Sequence, residues 1–191
     1  MICFATIGHT AVTDGNFSLN DMPGSGGRMD LLCRCVNAAF FLSHDLRRDV
    51  RCYLVLLGEP NPPKTILISG KDVRYLSPDE RSAGALIKKA LSIPCGTIFR
   101  ESSPGVSVRH GGLGELLADH AFALLDEGGT DIRTEHSLPD AFLLSDHHNL
   151  SEEEHVLIRT CPRYSVGPRS LHADHTITVL LNELDRREYA C

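Results

Sequence analysis

Apolar positions along this chain change their period several times, and each change marks an element. Ile2–Ile7 is an apolar run of the length of one strand. A polar loop follows and ends in Pro23-Gly-Ser-Gly-Gly27. From Arg28 to about Ser43 the residues Met29, Leu31, Leu32, Cys35, Ala38, Ala39 and Leu42 recur at helical spacing. Val50–Leu57 reads as a strand stopped by Gly58-Glu-Pro-Asn-Pro-Pro63, and Thr65–Ile68 as a short second one. Ser77-Pro-Asp-Glu80 has the form of a capping box with proline at the first helical position, predicting a helix to about Leu91. Ile93–Gly112 is less regular, with one short strand at Val106–Val108. Leu113–His120 predicts a helix, Ala121–Leu125 a strand closed by Asp126-Glu-Gly-Gly129, and Ala141–Ser145 an apolar strand. Ser151-Glu-Glu-Glu154 is another capping box, opening a helix to about Arg159. Arg163–Val166 is the last strand, and a helix from about Ser170 reaches Leu184 or beyond.

Alternation of strands with helices predicts an α/β fold, a largely parallel sheet with helices on both faces, in one domain spanning 1–191. Ligands of such sheets bind beyond the carboxyl ends of the strands. The turn-rich segments expected there are Gly58–Pro63, Asp126–Gly129, Ser145–Leu150 and Gly167–Leu171.

Composition narrows the class without naming a chemistry. No stretch approaches the roughly 18 apolar residues of a membrane helix, and Met1–Gly8 lacks the basic flank and cleavage site of a signal peptide. The expectation is a cytoplasmic protein with no membrane partner. The 7 cysteines are scattered, several inside apolar runs where a thiol acts as a small hydrophobe. Cys33 and Cys35 have no second pair at zinc-site spacing, and the histidines form no helical ligand pair with an acidic third, so no metal is expected. Residues 1–100 carry 12 Lys/Arg against 9 Asp/Glu, a net +3, and residues 101–191 carry 7 against 16, a net −9. A basic patch for nucleic acid, if present, therefore lies in the first half.

Two strand ends are the most suggestive. Ser145-Asp-His-His148 follows one apolar strand, and Gly167-Pro-Arg-Ser-Leu171 follows another and runs into a helix. Glycine in such a loop lets backbone amides and carbonyls approach a ligand, and an adenine would need them beside an apolar wall, available from Leu124, Leu143, Val166 and Leu171. A tight strand-to-helix turn without a ligand has the same pattern. Pro23–Gly27 leads into a helix N-terminus, where amides favour an anion, but it lacks the lysine of a phosphate loop. Arg47 and Arg48 at the helix end suit phosphates or, equally, the helix dipole. Asp30, Asp45 and Asp49 beside arginines suit proton transfer or plain ion pairing. No G-x-S-x-G elbow supports a serine hydrolase.

The run Asp21-Met-Pro-Gly-Ser-Gly-Gly-Arg-Met-Asp-Leu-Leu-Cys-Arg-Cys-Val36, then Ala39–Val50, resembles the signature of the archaeal tRNA pseudouridine N1-methyltransferases, the TrmY family. So do Gly58–Pro63, Leu76–Arg81 and Leu171–Thr178, and the likeness covers essentially the whole chain. The resemblance implies a SPOUT fold with a trefoil knot in about 120–185, a homodimer, and S-adenosyl-L-methionine (SAM) as cofactor. It implies methylation of N1 of pseudouridine at position 54, in the T-loop of tRNA. Carried over residue by residue, it places the methyl donor against Leu124, Ser145, Ser165, Val166, Gly167, Leu171 and Thr176. Ser145 stands where relatives usually have glycine and Thr176 where many have cysteine. Near the acceptor base it suggests Asp30, Arg48 and Asn61. A Nep-type ribosomal RNA methyltransferase, or a non-catalytic RNA-binding or assembly factor of the same fold, would share much of this pattern.

Overall fold

A computed structural model of the chain describes residues 1–188; Cys191 lies outside them. Eight strands form one sheet: β1 (Ile2–Gly8), β2 (Val50–Leu56), β3 (Lys64–Ser69), β4 (Arg100–Ser103), β5 (Val106–His110), β6 (Ala123–Asp131), β7 (Ala141–Ser145) and β8 (Arg163–Ser165). Five helices cover it: α1 (Met29–Phe40), α2 (Glu80–Leu91), α3 (Leu113–Asp119), α4 (Glu152–Leu157) and α5 (Ala173–Glu188). None of the described helices is long and apolar enough to cross a membrane.

The sheet order is β4-β5-β3-β2-β1-β7-β6-β8. From β2 to β8 every neighbouring pair is parallel, while β3, β5 and β4 continue antiparallel on the far side of β2. The largely parallel sheet of the sequence reading is thus its half from β2 to β8. One face is packed by α1, α2 and α5, around Phe4, Leu32, Val36, Phe40, Ile87 and Leu180. The other carries α3 and α4, around Ala5, Tyr53, Leu116 and Ile158. Because successive side chains of a strand point to opposite faces, β1 feeds Phe4 to one core and Ala5 and Ile7 to the other. The chain leaves β1 for α1 on one face and leaves β7 for α4 on the other. The crevice between the carboxyl ends of β1 and β7 is therefore a topological switch point, the place where open α/β sheets bind ligands.

Several boundaries differ from those expected, each for a local reason. Asp79, not Ser77, caps α2, its carboxylate accepting from the Ser82 amide at 2.8 Å. An aspartate is the stronger acceptor, and using it moves Pro78 outside the helix. Arg28 does not begin α1 but precedes it in a left-handed conformation, φ 66°. The last helix starts at Ala173, which frees Ser170 and Leu171 to line a cleft. β6 continues past its predicted end because Asp126–Gly129 bulge out and pairing with β8 resumes at Thr130–Tyr164. Gly129 permits this: a Cβ there would sit 2.6 Å from the Tyr164 backbone. β4 was not expected at all, since Arg100-Glu-Ser-Ser103 has no apolar alternation.

Cys33, Cys35 and Cys52 are buried, and burial raises all three thiols, Cys35 to about 12. They serve as core hydrophobes, as their position in apolar runs suggested. Two fasteners hold α5. Arg47 donates both guanidinium nitrogens to Asp185, and Arg187 donates to the carbonyls of Ile132 and Glu135 in the segment joining β6 to β7.

Candidate functional site

The bulge within β6 and the turns after β7 and β8 meet in one cleft of about 520 Å³, continuous in its lining with a side pocket of about 50 Å³. Leu124, Ser145, Leu171 and Thr176 line the cleft, while Ser165, Val166 and Gly167 line the side pocket, which also reaches Leu171 and Thr176. All seven positions proposed for the methyl donor are thus gathered in one place. Leu124 and Val166 are almost fully buried and give the wall its apolar part. Gly167 faces open space: a Cβ built on it would have nothing within 4 Å.

The hydroxyls of Ser145 and Thr176 are both taken up by backbone carbonyls. Ser145 Oγ donates to the His148 carbonyl at 2.5 Å, folding the hydroxyl back onto its own turn. Thr176 Oγ1 donates to the His172 carbonyl at 3.2 Å, one helical turn back.

Charge in the cleft is acidic. Asp126, Glu127, Asp146 and Glu152 line it, against His148 and His155. An anionic cleft with an apolar wall suits a cation attached to a flat apolar ring system, since the carboxylates offset the cost of desolvating positive charge.

Beneath the cleft lies a cluster the sequence reading missed. His9, just past β1, donates its backbone N–H to Asp146 Oδ2 at 2.9 Å, and its ring lies between two carboxylates. Nδ1 is 2.8 Å from Asp146 Oδ1, and Nε2 is 3.0 Å from Glu154 Oε2. The hydrogen bond to Asp146 raises His9 to about 9 against the opposing effect of burial, with Glu154 adding to it. Burial alone would raise the two carboxyls. Hydrogen bonds outweigh it, so Asp146 is lowered through His9 and the His148 amide, and Glu154 through the Ser151 amide and His9. His9 is therefore an imidazolium at neutral pH, between two carboxylates. A lone histidine after a strand carries no motif; the only signal was its place at the carboxyl end of what proved to be a central strand.

A smaller cavity of about 70 Å³ adjoins the cleft across Asp146 and is lined by Thr6, Arg28, Cys35, Asp146, His147 and Asp174 among others. Thr6 is fully buried, and its hydroxyl makes no hydrogen bond of good geometry, having only the weak Cys35 thiol beside it.

The three residues suggested for the acceptor side are not brought together. Asp30, in the first turn of α1, takes Nε and Nη2 of Arg28 at 3.0 and 3.1 Å and lies 3.6 Å from Arg34. Asn61 sits in the loop after β2, its amide donating to Thr13 Oγ1 at 2.7 Å, on the cleft side of the sheet. Arg48 precedes β2 and donates to the Gly70 carbonyl. It is separated from Asn61 by the length of a seven-residue strand, about 20 Å.

A family profile described as "Putative SAM-dependent RNA methyltransferase" matches residues 1–189. The chain belongs to this family. Among its relatives, the "tRNA (pseudouridine(54)-N(1))-methyltransferase" of Methanocorpusculum labreanum is 58% identical over 191 residues, covering 98% of each chain. That of Methanospirillum hungatei, with the same name, is 53% identical and covers 98% of this chain and 97% of its own. In fold, this methyltransferase is similar to Archaeoglobus fulgidus Nep1, solved with S-adenosylhomocysteine: TM-score 0.65, 14% identity, 98% of both chains covered.

Proposed function

We propose that the chain transfers the methyl group of S-adenosyl-L-methionine to N1 of pseudouridine 54 in tRNA, the activity named for its 58% and 53% identical relatives. The observation that carries this reading is the convergence of the β6 bulge and the turns after β7 and β8 into one acidic cleft with an apolar wall. SAM supplies a sulfonium-activated methyl group, and the residues of the cleft fit it. Leu124, Val166 and Leu171 offer the apolar wall for an adenine, and Gly167 leaves room for close backbone approach. Asp126, Glu127, Asp146 and Glu152 complement the donor's positive charge. The turns of Ser145 and Ser165 and the hydroxyl-bearing Thr176 close its polar edge.

On the acceptor side, Arg28 is held in a strained left-handed conformation by its pair with Asp30, at the cavity shared with Asp146 and Asp174. Asp30 acts here by positioning Arg28, whose guanidinium neutralises charge developing on the ring as the N1 proton passes to water. Asn61 offers a polar contact on the same side. Arg48 lies at the opposite edge, where it lines a groove with Lys71 and Arg74, and in this reading it meets RNA phosphates. The protein acts as a cytoplasmic homodimer, with exposed Val156, Leu157 and Leu171 beside the cleft as the apolar surface available to a second copy. The segment 120–185 is threaded as a trefoil knot. This is supported by β8 lying outside β6 while α5 returns to pack on α1 past Ile132–Glu135.

Incubation of the purified protein with SAM and tRNA carrying pseudouridine 54 should yield N1-methylpseudouridine in the digested nucleosides. A tRNA with uridine at that position should give none. Methyl transfer to ribosomal RNA and not to tRNA would overturn the reading in favour of the Nep-type activity; no transfer to either would favour a non-catalytic factor. Removing Arg48 and Arg74 together by alanine should weaken tRNA binding about tenfold. It should also flatten the dependence of log Kd on log salt by about one to two, at unchanged donor affinity.

A further inference from the structure

The imidazolium of His9 holds three parts of the chain that meet only here. Its own backbone continues β1; Asp146 begins the turn after β7; Glu154 lies in the first turn of α4. Both carboxylates are also tied to that turn's own main chain. Asp146 accepts from the His148 amide at 2.8 Å, and its amide donates to the Ile7 carbonyl at 3.0 Å. Glu154 Oε2, besides facing His9, accepts from the Ser151 amide at 2.7 Å, completing a capping box with Ser151 Oγ. The chain between them, Ser145 to Glu152, forms one wall of the donor cleft, through Ser145, Asp146, His148, Asn149, Leu150 and Glu152. His9 itself does not line the cleft and cannot touch a ligand there.

We propose that His9 is a positioning residue: its doubly hydrogen-bonded ring clamps the 145–152 wall to the central strand β1 and so preorganises the cleft for the methyl donor. The clamp is a property of the free protein, and its role in donor binding rests on the function proposed above. Preorganisation matters because a wall made of a loop must otherwise be ordered at the expense of binding free energy. Only the protonated ring can donate from both nitrogens. The neutral ring keeps one N–H, so one carboxylate would face a lone pair.

The groups around the ring are few. Asp146 and Glu154 flank it, the His148 ring packs edge-on at 5.7 Å, His147 Nδ1 is 3.5 Å from Asp146, and Arg28 acts on Asp146 from the α1 side. Because folding raises His9 from 6.5 to about 9, the clamp is fully present below pH 6.5 and is lost as pH rises through about 9. Its lower limit is set by protonation of the two depressed carboxyls.

The test uses the ligand-free chain and the chain with S-adenosylhomocysteine. In His9→Gln, hydrogen exchange of the 145–152 amides should speed up at least tenfold relative to the wild type at pH 7, while amides of β2 stay protected. Calorimetry should show the Kd for S-adenosylhomocysteine raised about tenfold, with kcat at saturating donor little changed. Adding Glu154→Gln to His9→Gln should cost less than it does in the wild type. In the wild type, donor affinity should fall between pH 8 and 10; in His9→Gln it should be flat there. Should His9→Gln fail to fold, the pH profile of the wild type carries the test alone. Unchanged exchange in His9→Gln, or a flat wild-type profile to pH 10, would overturn the clamp. Absence of donor binding to the wild type would instead sink the proposed function, leaving the exchange result to judge the clamp.

Discussion

Replacing Gly167 by phenylalanine is expected to weaken donor binding at least a hundredfold and to leave the fold intact. The two halves of that statement rest on separate observations. For the fold, Gly167 is not among the residues with positive φ, and a Cβ there has nothing within 4 Å, so neither backbone strain nor a clash opposes a side chain. The turn is held by backbone atoms that survive the substitution: Ser165 Oγ donates to the Gly167 carbonyl at 2.6 Å and accepts from its amide at 3.2 Å. A surface substitution of this kind changes stability by about 0.5 kcal/mol or less, which for a chain of this size moves Tm by about 2 °C. For binding, Gly167 lines the side pocket with Ser165, Val166, Ser170 and Leu171, beside the proposed adenine site, and a phenyl ring carried there is expected to take up part of that space. A well-packed ligand cannot share that volume, and a hundredfold loss corresponds to about 2.7 kcal/mol. Gly167→Ala, one methyl group, should cost less than tenfold. Calorimetry with S-adenosylhomocysteine and a thermal melt separate the outcomes. Undiminished binding by Gly167→Phe would place the donor elsewhere, whatever its effect on tRNA.

The parallel half of the sheet was legible because each of its strands is a short apolar run bounded by turn residues, and such runs are buried on both faces. Strand direction and order are not written in periodicity. Thr65–Ile68 gave no sign that it would pair antiparallel with both β2 and β5. Arg100–Ser103 was missed because an edge strand with one free side can be polar throughout. The Pro104-Gly105 step was the available clue, since Gly105, at φ 73°, turns this strand into β5.

In the site, the positions proposed for the donor came from the family resemblance, and the fold gathers them into one cleft because they lie on or just beyond β6, β7 and β8 at the same edge of the sheet. The positions proposed for the acceptor came from two neighbouring segments, Asp21–Val50 and Gly58–Pro63, and nearness in sequence misled. Arg48 and Asn61 are only 13 positions apart but sit at opposite ends of β2. His9 shows the converse. Its partners are 137 and 145 positions away, and no window of sequence contains the cluster. Strand order alone brings β1 beside β7, and with it the imidazole beside the two carboxylates.

Gly27→Ala should be the most damaging single methyl group in the loop that leads to α1. Gly27 has φ 60°, and a Cβ on it would lie 1.8 Å from the Thr10 carbonyl oxygen, with Thr10 C at 2.7 Å. Both obstacles are backbone, so no rotamer change relieves them. The left-handed conformation alone costs alanine about 1–2 kcal/mol. Relieving the overlap requires the 9–12 and 24–28 segments to part, which breaks the Thr10 Oγ1 bond to the Gly27 carbonyl at 3.0 Å and the Val12 amide bond to Gly26 at 3.3 Å. Together these give an expected loss of about 3–5 kcal/mol, in the range reserved for backbone strain and lost buried contacts. That corresponds to a Tm lower by about 10 °C in a thermal melt. Arg28 is the natural comparison, for it too is left-handed, φ 66°, yet it is tolerated because its guanidinium is fastened to Asp30. Arg28→Gly would relieve that strain and lose the fastening, so its melt should move by only a few degrees while methyl transfer falls steeply. Gly27→Ala should lose stability first and activity only in proportion to the unfolded fraction. A Gly27→Ala protein melting within 2 °C of the wild type would mean that the two loops do not approach as closely as this geometry requires. The placement of Arg28 at the acceptor cavity would then lose its support.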